Sequence, residues 1–406
     1  MNIIFVEPSF PHNQREFVRA LNAVGANVIG IGERPAEYLS SDVKGWLSEY
    51  VQVRSVVHEP SLLKAVKAIQ KSVWVDRLET TVEAHIMAAA AVREATGIPG
   101  TSTETAFLCR DKPAMKEVLR RAGIPCAQSM RAETPEQARE FAKAVGFPLI
   151  IKPPAGAGAS ATYRVRSTGD LERVIHESGL ADGVAVAIEE FIEGHEGFLD
   201  TLAINGKVAH EFITHYYPNV LEAMRERWIA PQMVATNRMD EPGYEDVRKM
   251  ARKVIKILKI GTSATHMEWF YGPKGLKFSE IGCRPPGVGQ WDVYNAANEF
   301  DLYFEWAHTL VHGSTHTQPS RRYAAGMIAL RPERDGRITG YSGVGEIGRK
   351  YGDCIVATHL PEPGTPTQPI EGGYMANAWM RLRHPDYDTL REILNDVGQT
   401  VKVHAN

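Results

Sequence analysis

No apolar stretch in this chain nears the roughly 20 residues that a membrane-spanning helix needs, and the opening Ile3-Ile4-Phe5-Val6 lacks a basic lead-in. Neither a membrane partner nor a signal peptide is expected, and the predicted location is cytoplasmic. Cysteine is scarce: Cys109, Cys126, Cys283 and Cys354 stand apart without a paired metal-ligand spacing, and a 45 kDa chain needs no staples. Free thiols are expected, with Cys283 a small semi-apolar filler rather than a catalytic thiol. An excess of one charge is also missing, since Lys plus Arg is 46 and Asp plus Glu is 49, a net −3. Nothing in that balance suggests a polyanion-seeking surface or a nucleic-acid partner. The Walker pattern GxxxxGK[ST] is absent, which disfavours ordinary P-loop chemistry, and no repeat, heptad run or low-complexity tract appears.

What is present is enough chain for two or three domains: 406 residues, 43% hydrophobic and 23% charged, the profile of a soluble globular protein. The first 105 or so residues alternate strand and helix signals. Ile3 to Val6, a helical pattern through Phe17, Val18, Leu21 and Val24, Val28 to Ile31, Leu62 to Ile69, Val73 to Val75 and an Ala-rich helix from Val82 to Thr96 predict an α/β unit with a parallel sheet. Further on, Lys112 to Ala122 and 133 to 145 read as helices, the second with Thr134 as its cap, and Phe147 to Lys152 as a buried strand. Strands are expected at Thr162 to Arg166, Val184 to Glu189, 198 to 215 and 264 to 281, and helices near 170 to 178 and at Arg248 to Leu258. From about 311 the composition turns to Gly, Pro and Thr, with a strand at Ala324 to Leu330 and a last helix near 387 to 397, which predicts a third, sheet-rich domain.

Three features carry chemistry. Gly156-x-Gly158-x-x-Ala161 formally fits the dinucleotide fingerprint, but the chain goes on as a strand, Thr162 to Arg166, instead of opening a helix. The alternatives are a glycine flap that closes over phosphates, with Lys152 just before it as a point charge, and a merely structural hairpin. Next, Glu268 and Glu280 flank Gly272-Pro273-Lys274-Gly275, so strand pairing sets two carboxylates side by side. They read as Mg²⁺ ligands or as an exposed acidic pair. Finally, Arg284 lies four residues after Glu280, where it stabilises developing negative charge or simply precedes a Pro-Pro turn.

In order along the chain these features resemble the ATP-grasp superfamily, best matched from about 105 to 310. Arg110-Asp111-Lys112 and Ala122-Gly123-Ile124-Pro125 resemble the first ATP-contacting lysine and the turn into the lid; Pro148 to Pro153 resembles the second lysine strand. Glu189 to Glu196 resembles the hinge that reads adenosine, and Asn298 to Leu302 the segment closing the metal motif. The resemblance implies an α/β fold with an α+β grasp part: a pre-ATP-grasp domain at 1–105, an ATP-grasp domain at 106–310 with a lid at about 115–190, and a sheet-rich C-terminal domain at 311–406. It implies ATP and Mg²⁺ or Mn²⁺ as cofactors. ATP contacts would come from Lys112, Lys152, Gly156, Gly158, Ser160, Glu189, Glu190, Phe191, Ile192 and Glu196, metal ligation from Glu268 and Glu280, and catalysis from Arg284.

Gly282 departs from the many members with an Asn ligand there, and Glu190 from the common hinge lysine. The activity implied is carboxylate–amine ligation through an acyl phosphate, releasing ADP and phosphate, with a small carboxylate, an amino acid or similar, and an amine as partners and a homodimer as the expected assembly. Substrate contacts are expected of His266, against a satisfied strand histidine, and of Arg225 and Arg227 in the aromatic, arginine-rich stretch 215–235, against an amphipathic excursion. Bicarbonate-using carboxylation, phosphotransfer and non-catalytic ATP binding are the rival readings.

Overall fold

In the computed structural model, which describes residues 1–155 and 161–406, four sheets organise the chain. Strands Glu49–Gln52, Asn27–Gly32, Asn2–Val6 and Arg77–Glu79 pair in that order, all parallel. Near-continuous apolar runs suit such strands because helices cover both faces. One expected strand is displaced: Val73 to Val75 is not in the sheet, Trp74 is 78% exposed, and the pairing falls on Arg77–Glu79. An indole left in water cannot hold a buried central position, whereas Leu78 is fully buried.

A second four-stranded sheet, in the stretch expected to be the lid and called the lid sheet below, runs Ser129–Ala132, Val186–Glu190, Leu149–Lys152 and Tyr163–Val165, antiparallel throughout. Helix Pro135–Val145 covers it, and Thr134 closes a capping box with Gln137 in which each side chain accepts from the other's backbone amide. Thr134→Ala is expected to cost about 1 kcal/mol, read as a lower urea midpoint at unchanged m-value.

The largest sheet has eight antiparallel strands in the order Gly275–Gly282, Ser263–Gly272, His195–Ile204, Lys207–Tyr217, Gln232–Ala235, Ala324–Leu330, Ala378–His384 and Ile355–His359. Thus the strands beyond residue 311 extend the central sheet through Ala324–Leu330, which pairs with Gln232–Ala235, while Ile338–Ser342 pairs separately with Lys402–Ala405. Aromatic packing ties the leading sheet to this body: Phe17 lies 5.0 Å from both Tyr303 and Trp306 and 5.1 Å from Trp291, centroid to centroid.

Candidate active site

A cleft of about 1470 Å³ lies where the lid sheet, one face of the eight-stranded sheet and loops of the leading sheet meet. Of the described residues expected to touch ATP, metal or substrate or to act in catalysis, all line it except Arg227. Gly156, Gly158 and Ser160 lie outside the described residues.

Asp111 caps helix Lys112–Arg121 by accepting from Ala114 N–H, which starts the helix at Lys112 and aims its first turn at the cleft. Lys112 and Lys116 share one helix face. Lys112 Nζ stands 3.2 Å from Glu280, while Lys116 reaches Glu189 Oε2 at 2.7 Å. Lys152, at the end of its strand, meets the same Glu189 oxygen at 3.1 Å. Burial works against the Glu189 charge, but Lys116 and Lys152 outweigh it and bring its carboxyl down to about 2. Burial also pulls Lys116 below the usual lysine range against the attraction of Glu189; for Lys152 the carboxylates Glu189 and Glu280 overcome burial and raise it.

Because Glu189 titrates lower in the folded chain than unfolded, its stabilisation is present above pH about 4.5 and is lost as pH falls toward 2. Glu189→Gln is therefore expected to be less stable than the parent at neutral pH, with the difference shrinking across that window. Urea unfolding at a series of pH values checks this. Glu189 Oε1 is buried without a hydrogen-bond partner among the described residues.

The hairpin behaves as its turn predicts, with Glu268 directly opposite Glu280. Glu268 has a further neighbour in His266, whose Nε2 is 3.6 Å from Oε1. His266 Nδ1 is 2.6 Å from Asp200 Oδ1, and Tyr294 Oη donates to the other Asp200 oxygen at 2.6 Å. Among the described residues no group of three or more His, Cys, Asp or Glu is arranged to hold a metal. A two-carboxylate site of this kind suits Mg²⁺, which keeps waters and takes its remaining oxygens from phosphates.

Arg284 Nε donates to Glu83 at 2.7 Å, and Arg110 Nε lies 3.4 Å from the other Glu83 oxygen. A side chain built at Gly282 would begin 3.6 Å from Glu83 and from Arg284, ordinary contact, so the space beside Gly282 faces the Glu83 carboxylate.

At the hinge, Gly194 and Gly272 let two backbones touch: a Cβ on Gly272 would fall 2.1 Å from Glu193 O, and one on Gly194 2.5 Å from Tyr271 O. Glu190 turns to Gln128 N–H and Lys274, so the cation at this position comes from the hairpin turn. Arg164 stacks 3.9 Å over Phe191, and Ile192 is buried. Glu196 accepts from Val220 N–H at 2.7 Å, and burial together with Glu268 pushes its carboxyl up to about 8.

Arg225 reaches back toward the lid, donating to Thr162 O at 3.3 Å. Arg227 departs from the substrate role expected of it. It faces away from the cleft and pairs with Asp335 at 2.7 Å, because the helix at Val220–Ala223 and its exit set the two arginines on different sides. Cys109, Cys126 and Cys283 are buried free thiols and Cys354 a half-buried one, as expected.

Sequence reasoning missed Lys116, Glu83, Asp200 and Tyr294. Only Lys116 left a trace, its i, i+4 spacing from Lys112 on a helix whose Met115 and Leu119 are buried.

Lysines, paired carboxylates and an arginine surround one cleft beside the lid sheet, and residues 117–300 match the model of the ATP-grasp domain. The chain carries an ATP-grasp domain within the fold of ATP-grasp ligases. It is 27% identical over 220 residues to an L-arginine-specific L-amino acid ligase of Bacillus subtilis, covering 53% of this chain and 52% of that protein. The matched stretch thus spans about half the length of that relative. Over 174 residues it is 24% identical to the carbamoyl phosphate synthase large chain of Thermotoga neapolitana, covering 42% of this chain and 15% of that one.

Solved structures share the fold over the whole chain, and two of them illustrate it. An L-amino acid ligase from Bacillus licheniformis superposes with a TM-score of 0.79 at 16% identity, covering 100% of this chain and 98% of that one. An N5-carboxyaminoimidazole ribonucleotide synthetase from Thermotoga maritima does so at 0.69 and 18%, covering 100% and 99%.

Proposed function

We propose that this protein is an ATP-dependent carboxylate–amine ligase that activates a small carboxylate as an acyl phosphate and passes it to an amine, releasing ADP and phosphate. The observation that carries the reading is the cross-strand pair Glu268 and Glu280 in one cleft with Lys112, Lys152 and Arg284. The ATP-grasp match and the likeness to amino acid ligases support it. On this reading 106–310 is the ATP-grasp unit, with its lid at about 115–190, between the leading α/β part and the sheet-rich C-terminal part.

Lys112 and Lys152 lower the cost of bringing a triphosphate into a cleft that already holds the carboxyl groups of Glu189, Glu196, Glu268 and Glu280, among others. The unpartnered Glu189 Oε1 is an acceptor for the exocyclic amine of adenine, the 190–192 backbone meets its edge, and Ile192 packs on the ring. Glu196 keeps one oxygen for ribose hydroxyls after Val220 takes the other. Glu268 and Glu280 fit Mg²⁺, which when bound neutralises phosphate charge and orients the γ-phosphoryl group. Arg284, held by Glu83, stabilises the charge that develops as the phosphoryl group moves to the carboxylate and again as the amine attacks. Lid closure excludes the water that would otherwise hydrolyse the acyl phosphate.

The test is incubation with Mg²⁺, ATP and a panel of carboxylates, with hydroxylamine as a generic acceptor. Hydroxamate formed together with ADP and dependent on the acid is the expected result. ADP alone points to bicarbonate use or phosphotransfer, and ATP binding without turnover points to the non-catalytic reading.

A further inference from the structure

Beyond the nucleotide end, one wall of the cleft is apolar. The apolar core under the leading sheet and the eight-stranded sheet reaches the cleft through Tyr216, Met233 and Tyr374, with Met224, Met375 and Trp379 packed against it half-buried. Aromatic rings lead there from the carboxylate pair without interruption. His266 lies 4.8 Å from Phe198, Phe198 4.9 Å from Tyr216, and Tyr216 6.4 Å from Tyr374, centroid to centroid.

Sheet register continues the row, since Tyr216 is opposite Met233, Met233 opposite Met327, and Met327 opposite Arg381. At the far end Arg381 is paired with Asp292 at 3.1 Å, and the Arg331 guanidinium, which donates to Ala223 O, lies 5.9 Å over the Tyr374 ring. Tyr374 Oη is buried and has no hydrogen-bond partner among the described residues.

We infer that the carboxylate activated by this enzyme is an amino acid with a bulky apolar side chain, whose carboxyl lies at the His266–Glu268 end and whose side chain lies along Tyr216 and Tyr374 against the methionines. This rests on the ligase reading and names the substrate class of that site. Three methionines and an indole make a wall that adapts in shape to large side chains. A charged side chain would lose its hydration against the methionines and the indole. A methyl group alone would leave most of the wall uncovered.

The test runs the hydroxamate assay with L-phenylalanine, L-leucine and L-methionine against L-alanine, L-aspartate and L-lysine. A preference of about tenfold or more in kcat/KM for the large apolar acids is expected. Tyr374→Ala is expected to raise KM for the preferred acid about tenfold with KM for ATP unchanged, and Met375→Ala, at a half-buried position, to do the same to a smaller degree. Preference for the charged or the smallest acids, or specificity that neither variant moves, overturns the inference.

Absence of hydroxamate with every acid removes the ligase reading instead. The apolar wall is then judged by binding: a rise in Tm with L-phenylalanine and none with L-aspartate supports it, and equal shifts or none overturn it.

Discussion

Replacing Glu280 by glutamine is expected to lower acid-dependent ADP release at least about 100-fold, and Glu268→Gln to do likewise, because on the proposed reading each removes a charged Mg²⁺ ligand where changes to the groups that merely support ligands already cost about 10–100-fold. Glutamine keeps the size and the hydrogen bonding of the side chain, so the hairpin should fold as before. The loss should follow Mg²⁺, with part of the turnover returning as Mg²⁺ is raised. Assay of ADP across a Mg²⁺ series, alongside Tm, separates this from misfolding. Turnover unchanged from the parent would mean that Glu280 faces Lys112 for structure alone and ligates nothing.

The second large effect is on stability. Lys116 is 1% exposed and shares the Glu189 oxygen with Lys152. Lys116→Met removes one of the two cations holding a fully buried carboxylate, which is expected to lower the unfolding free energy by about 3–5 kcal/mol. An exposed ion pair such as Arg173–Glu177 would contribute no more than about 1 kcal/mol. The double variant Lys116→Met with Glu189→Gln should recover part of the loss, since the uncompensated charge is then gone. A Lys116→Met protein as stable as the parent in urea would show that Lys152 alone satisfies Glu189.

Much of the site was legible in the sequence because its residues follow local rules. The Gly-Pro-Lys-Gly turn placed Glu268 across from Glu280, and Phe147 to Lys152 read as a buried strand ending in a charge, whereas Lys112 was marked by the family resemblance of Arg110-Asp111-Lys112 before a helix. Arg225 and Arg227 were indistinguishable by sequence, because a short helix and its exit decide which of two nearby side chains meets the cleft and which meets Asp335.

By itself the sequence determined the order of elements, the parallel character of the first sheet, the lysine, carboxylate and arginine motifs, and the family they resemble. Tertiary structure decided three things. Glu83, from the first 105 residues, holds the Arg284 guanidinium; Asp200 and Tyr294 fix His266; and the strands after residue 311 carry the central sheet on to Arg381 and Trp379. Periodicity and turn chemistry are properties of neighbours along the chain, so they survive in the sequence. Which faces meet depends on pairings between residues far apart along the chain, such as Phe17 with Trp306 and Glu83 with Arg284, and only burial and charge compensation in the folded chain select those.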